Sequence, residues 1–254
     1  MAAKAIDDCM VAVADRLRRA QHVCCLIGAG ISAESGIPTF RGPDGFWAGR
    51  SAFDLATPEA FARDPETVWR FCLWRRSQLV TKRPNAGHHA LVAIERLVPQ
   101  FTLVTQNVDG LHRAAGSANI LELHGNLMVD RCTACALETQ AATDGGFETI
   151  PICPECRAMM RPGVVWFGEM LSLDAIQKAD AAARSCQAML VVGTSSVVHP
   201  AAGLAEMARL HGAFTVEINP EETPLSRIMN MCIRMPAGEA LPAIVEAMNS
   251  SDRG

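Results

Sequence analysis

Four short apolar runs, each ending in glycine or polar residues, constrain the fold of this chain most strongly. The runs cover residues 23–27, 101–105, 188–192 and 214–218. Segments with helical periodicity separate most of these runs, at residues 88–97, 173–185 and 201–211. Strands of a buried parallel sheet are apolar throughout, and their alternation with helices indicates a sheet covered on both faces. The pattern predicts an α/β, Rossmann-like parallel sheet.

The ends of these runs predict where a ligand binds. Ligands of open parallel sheets lie beyond the carboxyl ends of the strands. In this chain the ends fall at residues 28–32, 106–109, 193–195 and 219–221, which hold an unusual share of glycine, amide, hydroxyl and carboxyl groups. We therefore expect these four segments to form one site.

Two stretches fit the alternation poorly and predict a second, smaller lobe. Residues 39–85 begin with many glycines and prolines and continue as a helical pattern over 58–80, whereas residues 127–161 carry four cysteines and several prolines. We interpret both as insertions that form a small lobe from a helical module and a zinc ribbon. The Rossmann-like domain then comprises residues 1–38, 86–126 and 162–254.

Two Cys-x-x-Cys pairs point to a metal ion. Seventeen residues separate the second cysteine of the first pair from the first cysteine of the second pair, and the four are Cys132, Cys135, Cys153 and Cys156. This spacing is typical of a zinc ribbon, in which four thiolates close a tetrahedral site around one structural Zn²⁺. The alternative is four unliganded thiols. The other six cysteines lack such spacing, and we expect most of them to be small core residues.

Composition excludes several classes of protein. The chain of 254 residues is 49% hydrophobic with a formal net charge of −4, which favours a globular protein and argues against nucleic-acid binding.

Residues 185–205 lack charged side chains, but a polar turn and a His-Pro pair interrupt them, so we expect no membrane helix. The first twenty residues predict an amphipathic helix and not a signal peptide, which favours the cytoplasm. We expect a monomer or a weak oligomer.

The turn after the first run matches a dinucleotide-binding pattern, with Gly28, Gly30 and Ala33 at the spacing G-x-G-x-x-A. Such a turn alone is weak evidence, because glycines are common at the ends of parallel strands. In a dehydrogenase a helix and a second strand ending in an acidic residue would follow. Here residues 36–38, Gly-Ile-Pro, stop the helix within about two turns, so we disfavour an oxidoreductase.

The same region resembles a known family. The run GAGISAESGIPTFRG at residues 28–42 is similar to the signature of the sirtuins, the NAD-dependent protein-lysine deacylases. Further sirtuin-like motifs follow in the family's order: TQNVDGLH at 105–112, LELHGN at 121–126, the four cysteines, VVWFGE at 164–169, GTSSVVHPA at 193–201 and VEINPEE at 216–222. Together they span nearly the whole chain.

The resemblance implies that NAD is a consumed co-substrate and that residues of these motifs bind it. The matching positions are Gly28, Ala29, Gly30, Ser32, Ile37, Phe40, Arg41, Gln106, Asn107, Val108, Asp109, Gly193, Thr194, Ser195, Asn219, Pro220, Glu221 and Ala237. For Asn107 and Asp109 the alternative is a plain turn after a strand, since both residue types favour turns.

The resemblance also implies a mechanism and two catalytic residues. In sirtuins the acyl oxygen of an acyl-lysine attacks the ribose carbon that carries nicotinamide, and O-acyl-ADP-ribose forms. His124 matches the general base, and imidazole takes up and returns protons at neutral pH; Asn107 matches the second catalytic residue. A core histidine is the alternative for His124 considered alone. We interpret His112 and the other five histidines as structural.

Protein substrates follow from the same resemblance, because sirtuins clamp an extended peptide between two strands. The matching positions are Val164, Phe167, Gly168, Glu169 and Val197. In the desuccinylase and demalonylase branch a Tyr and an Arg three residues apart bind the acyl carboxylate; here Cys72 and Arg75 occupy those positions, and the chain has no tyrosine. An exposed helical arginine is the alternative for Arg75. We expect a deacetylase that accepts succinyl or malonyl groups less well than that branch.

Two other functions remain open at this point. The same activated ribose could be transferred to a protein nucleophile, which would make the chain a mono-ADP-ribosyltransferase. The chain could also be a non-catalytic module that binds ADP-ribose or uses its zinc ribbon for interaction.

Overall fold

The computed structural model describes residues 2–38, 46–47, 50–141 and 149–250. Its helices are α1 (Ala2–Arg19), α2 (Ala52–Leu55), α3 (Pro58–Arg63), α4 (Pro65–Leu79), α5 (Ala86–Leu97), α6 (Leu111–Ala115), α7 (Leu173–Ser185), α8 (Gly203–Leu210) and α9 (Ala237–Ser250), with a 3₁₀ helix at Ala29–Ser35. Its strands are β1 (His22–Ile27), β2 (Phe46–Trp47), β3 (Arg50–Ser51), β4 (Gln100–Thr105), β5 (Ile120–Glu122), β6 (Gly125–Cys132), β7 (Glu138–Gln140), β8 (Met160–Val164), β9 (Ala188–Val192), β10 (Phe214–Ile218) and β11 (Met231–Ile233).

A six-stranded parallel sheet forms the large part of the molecule, in the order β11-β10-β9-β1-β4-β5. The four apolar runs are its four central strands, as predicted. Buried residues of α1, α5 and α9 pack on one face, and buried residues of α7 and α8 pack on the other. The prediction of a doubly covered parallel sheet is therefore confirmed.

The register of the sheet brings the strand ends together. Ile27, the last residue of β1, pairs with Thr105 at the end of β4 and with Val192 at the end of β9. Val192 in turn pairs with Ile218 at the end of β10. The segments that follow these four strands consequently start from one edge of the sheet.

The small lobe combines an antiparallel sheet, in the order β7-β6-β8, with helices α2 to α4. The helical pattern over residues 58–80 predicted one helix, but the structure has two. Asp64 separates them with φ −152° and ψ 77°, because the residue before Pro65 avoids the helical region. Its side chain then accepts a hydrogen bond from Thr67 N and caps α4.

Buried contacts of Arg76 and Trp69 attach α4 to the antiparallel sheet. Arg76 Nε donates to Leu127 O at 2.6 Å, and Arg76 Nη2 lies 2.5 Å from Asp130 Oδ1. Trp69 Nε1 donates to Met160 O at 3.1 Å. Since Arg76 is buried, these bonds fix the rotation of α4 about its axis, and with it the direction in which Cys72 and Arg75 point. The predicted domain boundaries themselves stay a prediction.

In the part of the chain that the structure describes, no helix is both long enough and apolar enough to span a bilayer.

Candidate active site

Three glycines allow the turns after β1 and β9 to touch. A Cβ on Gly28 would come within 2.6 Å of Thr194 Cα, and one on Gly30 within 2.7 Å of Gly193 Cα. Gly193 has φ +59°, and its Cβ would meet Ile31 N at 2.5 Å. Only glycine fits at these positions, so the pattern that predicted a ligand-binding turn reflects close backbone packing at the edge of the sheet.

A cluster of three polar side chains lies at this edge. Ser32 Oγ donates to Asp109 Oδ2 at 2.7 Å, and Asn107 Nδ2 donates to Ser32 Oγ at 3.3 Å. Asn107 Nδ2 also lies 3.2 Å from Gly28 O. Burial raises the pKa of Asp109, an effect that bonds from Leu111 N and Ser32 partly offset. The structure thus brings together residues from the segments after β1 and β4.

A second chain of hydrogen bonds extends across the strand ends. Gln106 Nε2 donates to Thr194 Oγ1 at 3.1 Å, and Asn219 Nδ2 donates to Thr194 O at 2.8 Å. Asn219 Oδ1 accepts from Glu221 N at 3.2 Å, which fixes the turn after β10. Pro220 and Glu221 are exposed on this turn, whereas Ser195 is half-buried.

His124 is held in one tautomer by the backbone. Its Nδ1 lies 2.9 Å from Gln106 O, and because a carbonyl can only accept, Nδ1 carries the proton. Nε2 then keeps its lone pair. Burial lowers the pKa of His124, although the bond to Gln106 O opposes this, so the ring is neutral at pH 7. A half-buried neutral imidazole with a free lone pair is suited to general-base chemistry.

The remaining residues of the predicted NAD site are placed around this edge or lie outside the description. Ala29, Ile37 and Val108 are half-buried near the strand ends. Ala237 starts α9, and the next residue, Gly238, donates its N–H to Glu34 Oε2 at 2.7 Å. Phe40 and Arg41 lie outside the described residues.

Helix α4 presents Cys72 and Arg75 to the protein interior. Cys72 is buried, and burial raises the pKa of its thiol to about 11, so the thiol stays protonated. Burial lowers the pKa of Arg75, and the nearby carboxylate of Asp109 opposes this shift. The side chain of Arg75 is half-buried, which differs from the exposed helical arginine that we considered.

The segment after β8 is the predicted peptide-binding stretch. Val164 is buried, whereas Phe167 is 46% exposed and Val197, on the turn after β9, is 60% exposed. Gly168 has φ +86° and turns the chain. The side chain of Glu169, in contrast, faces the protein: Arg161 Nη1 lies 2.5 Å from its Oε1, and Trp166 N donates to its Oε2 at 2.8 Å.

Sequence reasoning did not single out three residues that support this site. Glu34 caps α9, Arg161 pairs with Glu169, and Asn85 donates to Ile31 O at 2.7 Å from the N-terminus of α5. Glu34 lies inside the motif at residues 28–42, so its carboxylate was a signal that could have identified it. Asn85 and Arg161 lie outside the quoted motifs and carried no such signal.

The four motif cysteines form one cluster at the end of the antiparallel sheet. Their sulfur atoms lie close together. The Sγ–Sγ distance is 3.4 Å between Cys132 and Cys156, 3.6 Å between Cys135 and Cys153, and 3.6 Å between Cys135 and Cys156. Tetrahedral zinc with Zn–S bonds of about 2.3 Å separates its sulfur ligands by about 3.8 Å. The cluster therefore fits one structural zinc ion.

Two buried histidines pack behind the site. His88 and His112 have ring centroids 4.8 Å apart, and both nitrogens of His112 and Nε2 of His88 find no partner among the described residues. Burial lowers the pKa of His88 to about 4 and that of His112 to about 3. Both rings are therefore neutral in the folded protein at pH 7.

We expect these rings to make the fold sensitive to mild acid. In the unfolded chain histidine titrates near 6.5, so below that pH the unfolded state binds more protons and stability falls, by up to about 1.4 kcal/mol per histidine per pH unit. Urea unfolding of the wild type and of His112→Phe at pH 7, 6 and 5 measures this slope. The variant should lose less stability on acidification, and the exposed control His211→Asn should behave as wild type. Equal slopes for wild type and His112→Phe would refute the assignment.

Comparison with known proteins identifies relatives that match most of this chain. The model of the Sir2 family matches residues 28–200. The NAD-dependent protein deacylase of Aquifex aeolicus is 47% identical over 225 residues, 89% of this chain and 94% of that protein. The crystal structure of a Sir2 homologue in complex with NAD superimposes with a TM-score of 0.90 at 42% identity and covers 94% of each chain.

A second solved structure holds a peptide. It is a Sir2 variant with a deacetylated p53 peptide and 3′-O-acetyl-ADP-ribose, with a TM-score of 0.81 and 31% identity over 93% of this chain and 97% of that one.

Proposed function

The chain belongs to the Sir2 family, and from this premise we propose that it is an NAD-dependent protein-lysine deacylase. The substrates are then NAD, an acyl-lysine in a protein and one water molecule, and the products are nicotinamide, the deacylated lysine and O-acyl-ADP-ribose. The observation that supports this reaction most directly is the tautomer of His124, whose Nδ1–H is bonded to Gln106 O, leaving Nε2 as an acceptor.

The polar cluster at the strand ends is suited to binding the ribose and nicotinamide of NAD. Ser32, Asn107 and Asp109 are linked by hydrogen bonds, so their free donors and acceptors are fixed in direction before NAD arrives. Preorganised groups of this kind orient the ribose carbon for attack and cost little reorganisation.

Attack by the acyl oxygen breaks the bond between ribose and nicotinamide and joins the acyl group to the ribose carbon. A ribose hydroxyl must then lose its proton before it attacks the acyl carbon. His124 Nε2 is the group that accepts this proton, and the fixed Nδ1–H bond to Gln106 O stabilises the imidazolium that forms. Because burial lowers the pKa of His124, the base form predominates at neutral pH.

A zinc ion bound by the four cysteines would contribute structure and not catalysis. Four thiolates would complete its coordination and leave no position for water or substrate. Cys132 ends β6 and pairs with Met160 of β8, whereas the other three cysteines lie between the strands of this sheet. When bound, zinc holds the small sheet together, and with it the strand that leads to the peptide-binding segment.

We propose deacetylation as the main activity, with weaker removal of succinyl and malonyl groups. Arg75 can pair with an acyl carboxylate, but Cys72 offers only a protonated thiol where a tyrosine hydroxyl would donate. Losing a hydroxyl donor from a charged contact costs about 1 to 3 kcal/mol, equivalent to about 5- to 150-fold in kcat/KM.

This preference can be measured with acetyl- and succinyl-lysine peptides of one sequence. We expect Cys72→Tyr to raise kcat/KM for the succinyl peptide about tenfold or more. Arg75→Met should lower succinyl turnover more than acetyl turnover. If both variants change the two activities equally, the pocket does not discriminate acyl charge.

The proposed function itself is tested by incubating the protein with acyl-lysine peptides with and without NAD, followed by mass spectrometry. Deacylation that requires NAD supports the proposal. Transfer of ADP-ribose to protein without deacylation would favour the transferase, and binding of ADP-ribose without any turnover would favour the non-catalytic module. We place the enzyme in the cytoplasm as a monomer or weak oligomer that acts on acylated proteins.

A further inference from the structure

An ion pair encloses the turn that follows β8. Arg161, on β8, directs its guanidinium at Glu169, with Nη1–Oε1 at 2.5 Å and Nη2–Oε2 at 2.9 Å. Its Nη2 also donates to Val164 O at 2.9 Å. This two-point pair joins the strand before the peptide-binding segment to the residue that ends it, and such a pair fixes orientation as well as distance.

The same two side chains hold the residues between them. Trp166 N donates to Glu169 Oε2 at 2.8 Å, and the guanidinium carbon of Arg161 lies 3.5 Å from the centroid of the Trp166 ring. Burial works to raise the pKa of Glu169, but the bonds from Arg161 and Trp166 outweigh it and lower the pKa. Glu169 is therefore ionised at neutral pH, and both of its carboxylate oxygens accept hydrogen bonds from groups of the protein itself.

Backbone hydrogen bonds connect the enclosed turn to the proposed base, His124, and to Ala56, which follows α2. Val165 N donates to His124 O at 2.9 Å, and Phe167 N donates to Ala56 O at 2.9 Å. The side chain of Phe167 is 46% exposed beside this backbone. The pair thus sets the backbone position of a segment that lies between His124 and the surface where a peptide would bind.

We propose that Arg161 and Glu169 act as positioning residues that set the affinity for the acyl-lysine peptide, without contacting the peptide or NAD themselves. This inference rests on the proposed function. It replaces the expectation that the Glu169 side chain contacts the substrate.

A double-mutant cycle with Arg161→Met, Glu169→Gln and the double variant tests the proposal. We expect each single variant to raise KM for an acetyl-lysine peptide about tenfold. KM for NAD and kcat at saturating peptide should stay within about twofold of wild type. The double variant should match the single variants, because one pair is lost in each case.

A direct contact of Glu169 with the peptide predicts a different pattern. Glu169→Gln would then weaken peptide binding more than Arg161→Met, and the two effects would add. Equal rises in KM for NAD and peptide, or a fall in kcat alone, would also overturn the proposal. The control Glu138→Gln removes another ion pair of the same small sheet, that with Arg131, and should leave both KM values unchanged.

Equilibrium binding separates this test from the test of the function. Fluorescence anisotropy of a labelled acetyl-lysine peptide reports affinity even if no turnover occurs. Absence of turnover in the wild type with weaker binding by the Arg161 and Glu169 variants would refute the deacylase and keep the positioning role. Turnover by the wild type with unchanged peptide affinity in all variants would support the deacylase and refute the positioning role.

Discussion

Replacement of His124 by alanine is expected to lower kcat for deacetylation by about 10²- to 10⁴-fold, the range that a positioned general base contributes. The fold should persist, because the ring is only half-buried and, among the residues that the structure describes, its side-chain hydrogen bond is to Gln106 O. Affinity for ADP-ribose, measured by calorimetry, should therefore change little. Steady-state assays of nicotinamide release and of deacylated peptide measure the loss.

A matched control distinguishes the base from histidines elsewhere. His211→Ala removes an exposed histidine at the end of α8 and should retain wild-type turnover. If His124→Ala retains more than about a tenth of wild-type kcat, proton transfer by His124 is not required. Loss of ADP-ribose binding together with activity would instead point to a collapsed site.

Removal of one zinc ligand is expected to unfold the small lobe and abolish turnover. Cys153 is fully buried, so Cys153→Ser replaces a thiolate inside the lobe, and structural zinc contributes about 10 to 16 kcal/mol to such folds. We expect the zinc content to fall from one ion per chain to near zero and activity to fall more than about 100-fold. Atomic absorption and limited proteolysis between β6 and β8 measure the two effects.

The large domain should survive this substitution, because its two cores lie on the faces of the parallel sheet. Cys9→Ser, which changes a half-buried cysteine of α1, is the control and should keep both zinc and activity. Full activity of a zinc-free Cys153→Ser protein would contradict the structural role of the cluster.

The centre of the fold could be predicted because burial leaves a direct mark on sequence. Strands β1, β4, β9 and β10 are five or six residues long and mostly buried, so each forms an apolar run. The edge strands β5 and β11 have three residues each and are largely half-buried, and such short segments carry no period to detect. The helix break at Asp64 follows a local rule and was readable from Pro65 in principle.

In the candidate site, too, features with a local cause could be predicted from the sequence, and features that depend on the tertiary fold could not. The glycines at 28, 30 and 193 lie in short motifs that the sequence shows directly. Glycine is required there because the backbones of the two turns are in contact. The pairing of Arg161 with Glu169 depends instead on how a turn folds back on its strand, which no spacing rule specifies. The orientation of Arg75 depends on Arg76, which anchors α4 through carbonyls about fifty residues away in the chain.

The balance of products tests the central claim most directly. Wild-type protein, NAD and an acetyl-lysine peptide are mixed, and nicotinamide, deacetylated peptide and O-acetyl-ADP-ribose are quantified together over time. We predict that the three products appear in equal amounts and that none forms without NAD. Release of free acetate while NAD remains intact, or nicotinamide release with the peptide still acetylated, would contradict an NAD-consuming deacylase.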